Sequence, residues 1–134
     1  SICADTDHRM MKLESDSAIL AVSNLEGSLS FYTEKLGFTL ESSHGNPSYV
    51  ASILRDQAQS ISLLCMKDAI VGNHSIATLD FRCQEIDAIY SEFQSKGVVI
   101  DEEIGNKEYG MREFRIKDPD GYLLYFQEST VPNT

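Results

Sequence analysis

Two glycines sixty residues apart, Gly37 and Gly97, each close a helix of the same kind, and this repeat restricts the fold more than any other feature. Leu25, Leu29, Tyr32 and Leu36 fall at i, i+4, i+7 and i+11, one face of a helix. Asn24 stands where an N-cap belongs and Gly37 where a left-handed helix stop belongs. Ile86, Ile89, Tyr90 and Phe93 mark a second face, closed by Gly97. A strand-like run precedes each helix, the apolar Ser17 to Ser23 and then Ser75 to Cys83. Strand-like runs follow the first helix at Phe38 to Ser43, Ser48 to Leu54 and Ser60 to Met66, with His44 to Pro47 and Arg55 to Gln59 as turns. The order β-α-β-β-β then recurs, which is the pattern of an internal duplication.

The second copy ends in the most informative stretch, Lys107 to Glu128. Met111, Glu113, Arg115 and Lys117 alternate with Arg112, Phe114 and Ile116, the period of two of an extended strand. Asp118-Pro119-Asp120-Gly121 is a turn, because Pro119 fixes φ and Gly121 accepts φ > 0. Tyr122 to Gln127 then reads as a buried strand. Val98 to Ile104 supplies the strand before this hairpin, with Gly105 to Glu108 as the loop between.

Composition excludes some functions. A chain of 134 residues suits one domain, or two small halves sharing a core. Its net charge of −10 opposes nucleic-acid binding, which needs Lys and Arg to neutralise phosphates. No apolar run reaches membrane-spanning length, and the N-terminus is too polar for a signal peptide. Cys3, Cys65 and Cys83 are odd in number, and the last two sit in apolar strands, so buried thiols and a reducing, cytoplasmic setting are expected.

Three motifs carry a resemblance. FYTEKLGF at Phe31 to Phe38, EIDAIYSEFQSKGV at Glu85 to Val98 and YGMREFRIKDPDG at Tyr109 to Gly121 resemble, in order, the helix-to-strand junctions and closing hairpin of the glyoxalase / bleomycin resistance protein / dioxygenase superfamily, the vicinal oxygen chelate fold. The third is most similar to the bleomycin-resistance branch. The resemblance runs from about Ser17 to Glu128. It implies an α+β fold of two tandem βαβββ modules forming a curved, cup-shaped mixed β-sheet with helices packed outside. The expected division is a polar arm over 1–16, modules over 17–66 and 75–128, a connector over 67–74 and a tail over 129–134.

Enzymes of this family place metal ligands on the first and last strands of each module. Carried over, those positions hold Ser17, Ser62, Thr78 and Tyr125. None is an imidazole, carboxylate or thiolate, so no metal and no other cofactor is expected. His8, His44 and His74 do not replace the missing ligands. Strand parity turns Thr78, Asp80 and Arg82 toward the cup, with Glu113, Arg115, Tyr125 and Gln127, while Leu79, Phe81, Phe114, Ile116, Leu124 and Phe126 pack beneath. Tyr109 matches a position where bleomycin-binding relatives carry a stacking Trp, and Tyr49 lies near another ligand-contacting aromatic. The candidate ligand-binding residues are therefore Tyr49, Thr78, Asp80, Tyr109, Glu113 and Tyr125. Asp80 and Glu113 suit a cation, unless Arg82 and Arg115 neutralise them.

The resemblance implies a metal-independent protein that sequesters a cationic or aromatic small molecule, such as a drug, in a cavity at a homodimer interface. The alternatives are a metal-dependent lyase, isomerase or ring-cleaving dioxygenase, and a metabolite-binding regulatory module.

Overall fold

A computed structural model describes residues 17–66 and 78–131. The expected arm, His74 and the first residues of the strand expected from Ser75 lie outside these. The first module comprises β1 (Ser17–Val22), α1 (Leu25–Ser30), β2 (Thr39–Gly45), β3 (Ser48–Leu54) and β4 (Ser60–Cys65). The second comprises β5 (Thr78–Arg82), α2 (Ile86–Ser95), β6 (Ile100–Asn106), β7 (Met111–Lys117) and β8 (Leu123–Ser129).

Each module forms a four-stranded mixed sheet, in the orders β1-β4-β3-β2 and β5-β8-β7-β6. The last strand of each module returns beside the first and runs parallel to it, with hairpins joining the other three. A helix must bridge the step from the first strand to the second, and both modules place it there. The duplication expected from the two helix faces is thus an α+β pair of βαβββ units.

The core follows from the period of two. Phe81 is opposite Phe126, which is opposite Phe114. Their rings stack in a row at 5.0 and 5.1 Å, and Phe93 of α2 meets two of them edge-on. Such offset and T-shaped contacts suit aromatic quadrupoles. In the first module Leu20, Leu63 and Ala51 form the matching buried row.

Several boundaries differ from the sequence reading. The first helix is not regular throughout: after Ser30 the chain widens into a π turn over Phe31–Lys35, with Leu36 N donating to Phe31 O at 3.2 Å. Tyr32 and Leu36 are fully buried all the same. Strand β2 continues through His44 and Gly45, residues expected in a loop. Strand β6 likewise runs to Asn106, past the expected end at Ile104. Ladder pairing outweighs the local turn preference of Gly45 and Gly105.

The modules are joined by a polar seam over the apolar core. Tyr32 Oη donates to Asp118 Oδ2 at 2.7 Å, Ser23 Oγ to Asp120 Oδ1 at 2.7 Å, and Tyr122 Oη to the Ala21 carbonyl at 2.7 Å. Asp118 Oδ1 also accepts from the backbone N–H of Asp120 and of Tyr122, so the Asp-Pro-Asp-Gly turn is both self-closing and docked. On the other side, Arg55 binds the Leu36 carbonyl at 2.7 Å and Glu92 of α2 through two hydrogen bonds. This fixed seam sets how the second sheet is presented.

Candidate ligand-binding face

The side of the second sheet opposite the phenylalanine row carries most of the candidate residues. Parity and register place them in rows across the strands. Thr78 is opposite Leu123, and Leu123 opposite Lys117. Asp80, Tyr125 and Arg115 form the next row, and Arg82, Gln127 and Glu113 the one after. Beyond Glu113 the register reaches Gly105 on β6.

The Tyr125 row is tied together. Arg115 Nε donates to Asp101 Oδ2 at 2.6 Å, its Nη1 lies 3.3 Å from Glu102 and donates to Tyr125 Oη at 3.3 Å. The guanidinium also lies over the Tyr125 ring, 5.5 Å from its centre. Asp101, first of all, and then Tyr125 hold the Arg115 pKa above its usual value. Lys107 pairs with Glu102 and depresses its carboxyl pKa. Asp80, on the exposed first strand of this row, stands outside the network.

The Glu113 row is built differently. Glu113 is 3% exposed. Its Oε1 accepts from Gln127 Nε2 at 2.6 Å and from Tyr109 Oη at 2.9 Å. Tyr109 sits in the turn Lys107 to Gly110 between β6 and β7, closed by Lys107 N donating to Met111 O at 2.7 Å. Gly110 takes φ +84° there, a conformation that glycine adopts freely. Tyr109 as a residue is 63% exposed, so its hydroxyl is anchored while much of the residue stays open to solvent. The hydrogen bond to Glu113, then burial, raises its pKa to about 12, so it stays a neutral donor.

Tyr49 is in a different sheet from the other five candidates. It lies in the β2–β3 hairpin with its ring over Gly45, where an added Cβ would come within 2.4 Å of the ring. The sequence reading also missed two contributors to the Glu113 row. By sequence Gly105 belongs to a loop, and parity turns Gln127 to this face without giving it a role; in the structure Gln127 donates to Glu113. Register shifts within the β6–β7 ladder bring Gly105 opposite Glu113, and no local pattern announces them.

A cavity of about 680 Å³ lies elsewhere, where the modules meet beside the β3–β4 loop. Leu36, Phe38 and Asp56 line it from the first module and Leu79, Phe81 and Phe93 from the second. Of the six candidates, Asp80 alone borders it.

The donors at the family's metal positions do not fit a divalent ion. Ser62 Oγ is 3.1 Å from Ser52 Oγ, Tyr125 accepts from Arg115, and Thr78 is an exposed hydroxyl. Ser17 is opposite Ser60 in the β1–β4 ladder, which adds no carboxylate or imidazole. Among the described residues no three His, Cys, Asp or Glu side chains are grouped to hold a metal. Cys65 and Cys83 are free thiols, and burial raises Cys83 to about 11, away from thiolate chemistry.

Paired βαβββ modules with an open, polar sheet face define a class of cup-forming α+β proteins. The model of the Glyoxalase/Bleomycin resistance protein/Dioxygenase superfamily matches residues 14–126, and the chain belongs to that superfamily. No curated protein sequence matches it significantly. Solved structures share the fold. TioX from Micromonospora sp. ML1 superposes with a TM-score of 0.74 at 15% identity, covering 87% of this chain and 99% of its own. TnmS3, an antibiotic binding protein from Streptomyces sp. CB03234, gives 0.71 at 24% identity, covering 88% and 97%. A glyoxalase/bleomycin resistance protein/dioxygenase from Nocardioides gives 0.74 at 17% identity, covering 100% and 97%.

Proposed function

We propose that this chain is a metal-independent binding protein that sequesters a cationic or aromatic small molecule, of the kind bleomycin-resistance proteins take, in the cytoplasm. The observation that carries the reading is the Tyr109–Glu113–Gln127 arrangement: an exposed aromatic face fixed by a buried carboxylate and an amide. Small-molecule sites combine apolar walls with a few fixed polar groups in this way. TnmS3, a structural neighbour, is itself an antibiotic binding protein, which supports the reading by analogy of fold.

A second copy of the chain completes the site in this reading. Strand β2 is exposed along its whole length, and Ile19 and Leu40 of the first sheet are 67% and 46% exposed. An open sheet edge with exposed apolar side chains is normally covered. A monomeric mass by light scattering at micromolar concentration removes this part.

The test of the whole reading is a thermal-shift screen of metal-free protein against divalent metals and a panel of cationic and aromatic drugs. A ligand that binds only the folded state raises the melting temperature. The reading expects shifts with drugs, reduced in Tyr109→Ala. A shift with one divalent metal alone, abolished by chelator, overturns it.

A further inference from the structure

Charge on the second sheet is satisfied unevenly. Arg115 is held by Asp101 and Glu102, Arg112 by Asp87 at 2.8 Å, and Lys107 by Glu102. Glu113 is more buried than any of these acids, yet both of its donors, Tyr109 and Gln127, are neutral. Among the described residues no Lys or Arg pairs with it. Arg82 shares its row but stands two strand spacings away, about 10 Å. At that range, with Arg82 exposed, solvent and salt screen most of the attraction.

A carboxylate taken out of water without a cation is costly, and such groups are normally paired. Both neutral donors converge on Oε1. Among the described residues nothing pairs with Oε2, and no fully enclosed side-chain oxygen there lacks a partner, so Oε2 keeps part of the small exposure left to this 3% exposed residue. The route to it is open on one side: an added Cβ at Gly105, opposite Glu113, would meet nothing within 4 Å. Tyr109 reaches the same carboxylate through its hydroxyl, and the residue is largely exposed.

We propose that Glu113 Oε2 is the anchor for the cationic nitrogen of the ligand, an amidinium or ammonium that enters over Gly105 and lies against the Tyr109 ring. This rests on the binding reading above and narrows it to organic monocations with a flat body. Gln127 and Tyr109 hold Oε1, which fixes the carboxylate plane. A charge-assisted hydrogen bond forms at Oε2, and the ring face adds cation–π attraction. In the neighbouring row Arg115 is already paired with Asp101, Glu102 and Tyr125, so it leaves no free cation to compete with the ligand for Glu113.

The test compares benzamidinium with benzamide, which share a flat shape and differ in charge. Calorimetric titration at pH 7 is made on the wild type, Glu113→Gln and Gly105→Leu. The wild type binds benzamidinium tighter than benzamide by about tenfold or more. Glu113→Gln keeps an acceptor for Tyr109 and Gln127, retains benzamide binding and loses the preference for charge. Gly105→Leu places a side chain in the open space and weakens both probes, with an unchanged circular dichroism spectrum. Equal affinity of the two probes in the wild type, or a preference that survives in Glu113→Gln, overturns the inference while leaving the open-face reading standing. Absence of binding by both probes at millimolar concentration overturns the inference and that reading together.

Discussion

Replacing Tyr32 by Phe removes one hydroxyl from the seam between the modules and leaves its ring in place. The ring is fully buried and meets Phe31 and Phe38 edge-on, contacts that Phe keeps. What is lost is the 2.7 Å hydrogen bond to Asp118 Oδ2, while Oδ1 keeps its two backbone donors. Burial, followed by the Asp118 charge, raises the Tyr32 pKa far above the ordinary phenol value, so it donates throughout the pH range in which the protein is folded. A hydrogen bond to a charged acceptor contributes about 1.5–3 kcal/mol, and its removal leaves a buried oxygen unpaired. The expected loss is about 2 kcal/mol, or about 7 °C in melting temperature for a chain of this length. Urea titration followed by circular dichroism measures it, since the chain has no Trp.

The variant also carries a pH signature. Burial raises the Asp118 pKa above its usual 3.8, and the Tyr32 hydrogen bond opposes that rise. Its folded-state pKa is the higher one, so the stability linked to its proton is full below about 3.8 and lost as pH rises through the folded value. Without Tyr32 Oη that pKa moves higher and the loss at neutral pH grows. The deficit of Tyr32→Phe is therefore largest near pH 7 and narrows as pH falls. A deficit below about 0.5 kcal/mol, or one independent of pH, refutes the argument that the hydroxyl satisfies a charged Asp118.

Other perturbations probe the same framework. Gly37 and Gly97 share φ +77°, but a Cβ on Gly37 would lie 2.8 Å from Arg55 Nη1 and one on Gly97 meets nothing within 4 Å. Gly97→Ala should cost about 1 kcal/mol for the left-handed backbone, and Gly37→Ala clearly more by thermal denaturation; equal costs would show that Arg55 yields freely. The backbone N–H groups of Glu85 and Ile86 both donate to the Glu128 carboxylate at 3.1 Å, an N-cap for α2 supplied by β8. Glu128→Ala should lose about 1 kcal/mol of stability, and hydrogen exchange should quicken in the first turn of α2. The Arg55 hydrogen bond, against burial, lowers the Glu92 pKa from 4.5. That stability is present above about pH 4.5 and lost as pH falls through the folded value, so Glu92→Gln should flatten the acid limb of the melting curve.

The parts of this architecture visible in the sequence are those carried by short-range period. Leu25 to Leu36 and Ile86 to Phe93 mark the helix faces, and alternation along β5, β7 and β8 separates the phenylalanine row from Asp80, Tyr125 and Glu113. What alternation cannot show is pairing between distant strands. Asp118 reads as turn chemistry, and its bond to Tyr32, 86 residues away, depends on how the modules dock. Glu128 reads as the end of a strand and caps a helix 43 residues earlier. Gly105 lies opposite Glu113 because of bulges in the β6–β7 ladder, so the gap beside the carboxylate has no signature of its own. The cavity at the module junction is lined from both modules, which parity within one strand does not reveal.

The central claim is that ligands occupy the open face of the second sheet. Backbone amide NMR during titration with the tightest compound from the thermal-shift panel tests it most directly. The account predicts shifts concentrated on Gly105, Tyr109, Glu113, Tyr125 and Gln127. Shifts concentrated instead on Arg55 to Gln59 and Leu36, around the cavity between the modules, would contradict it.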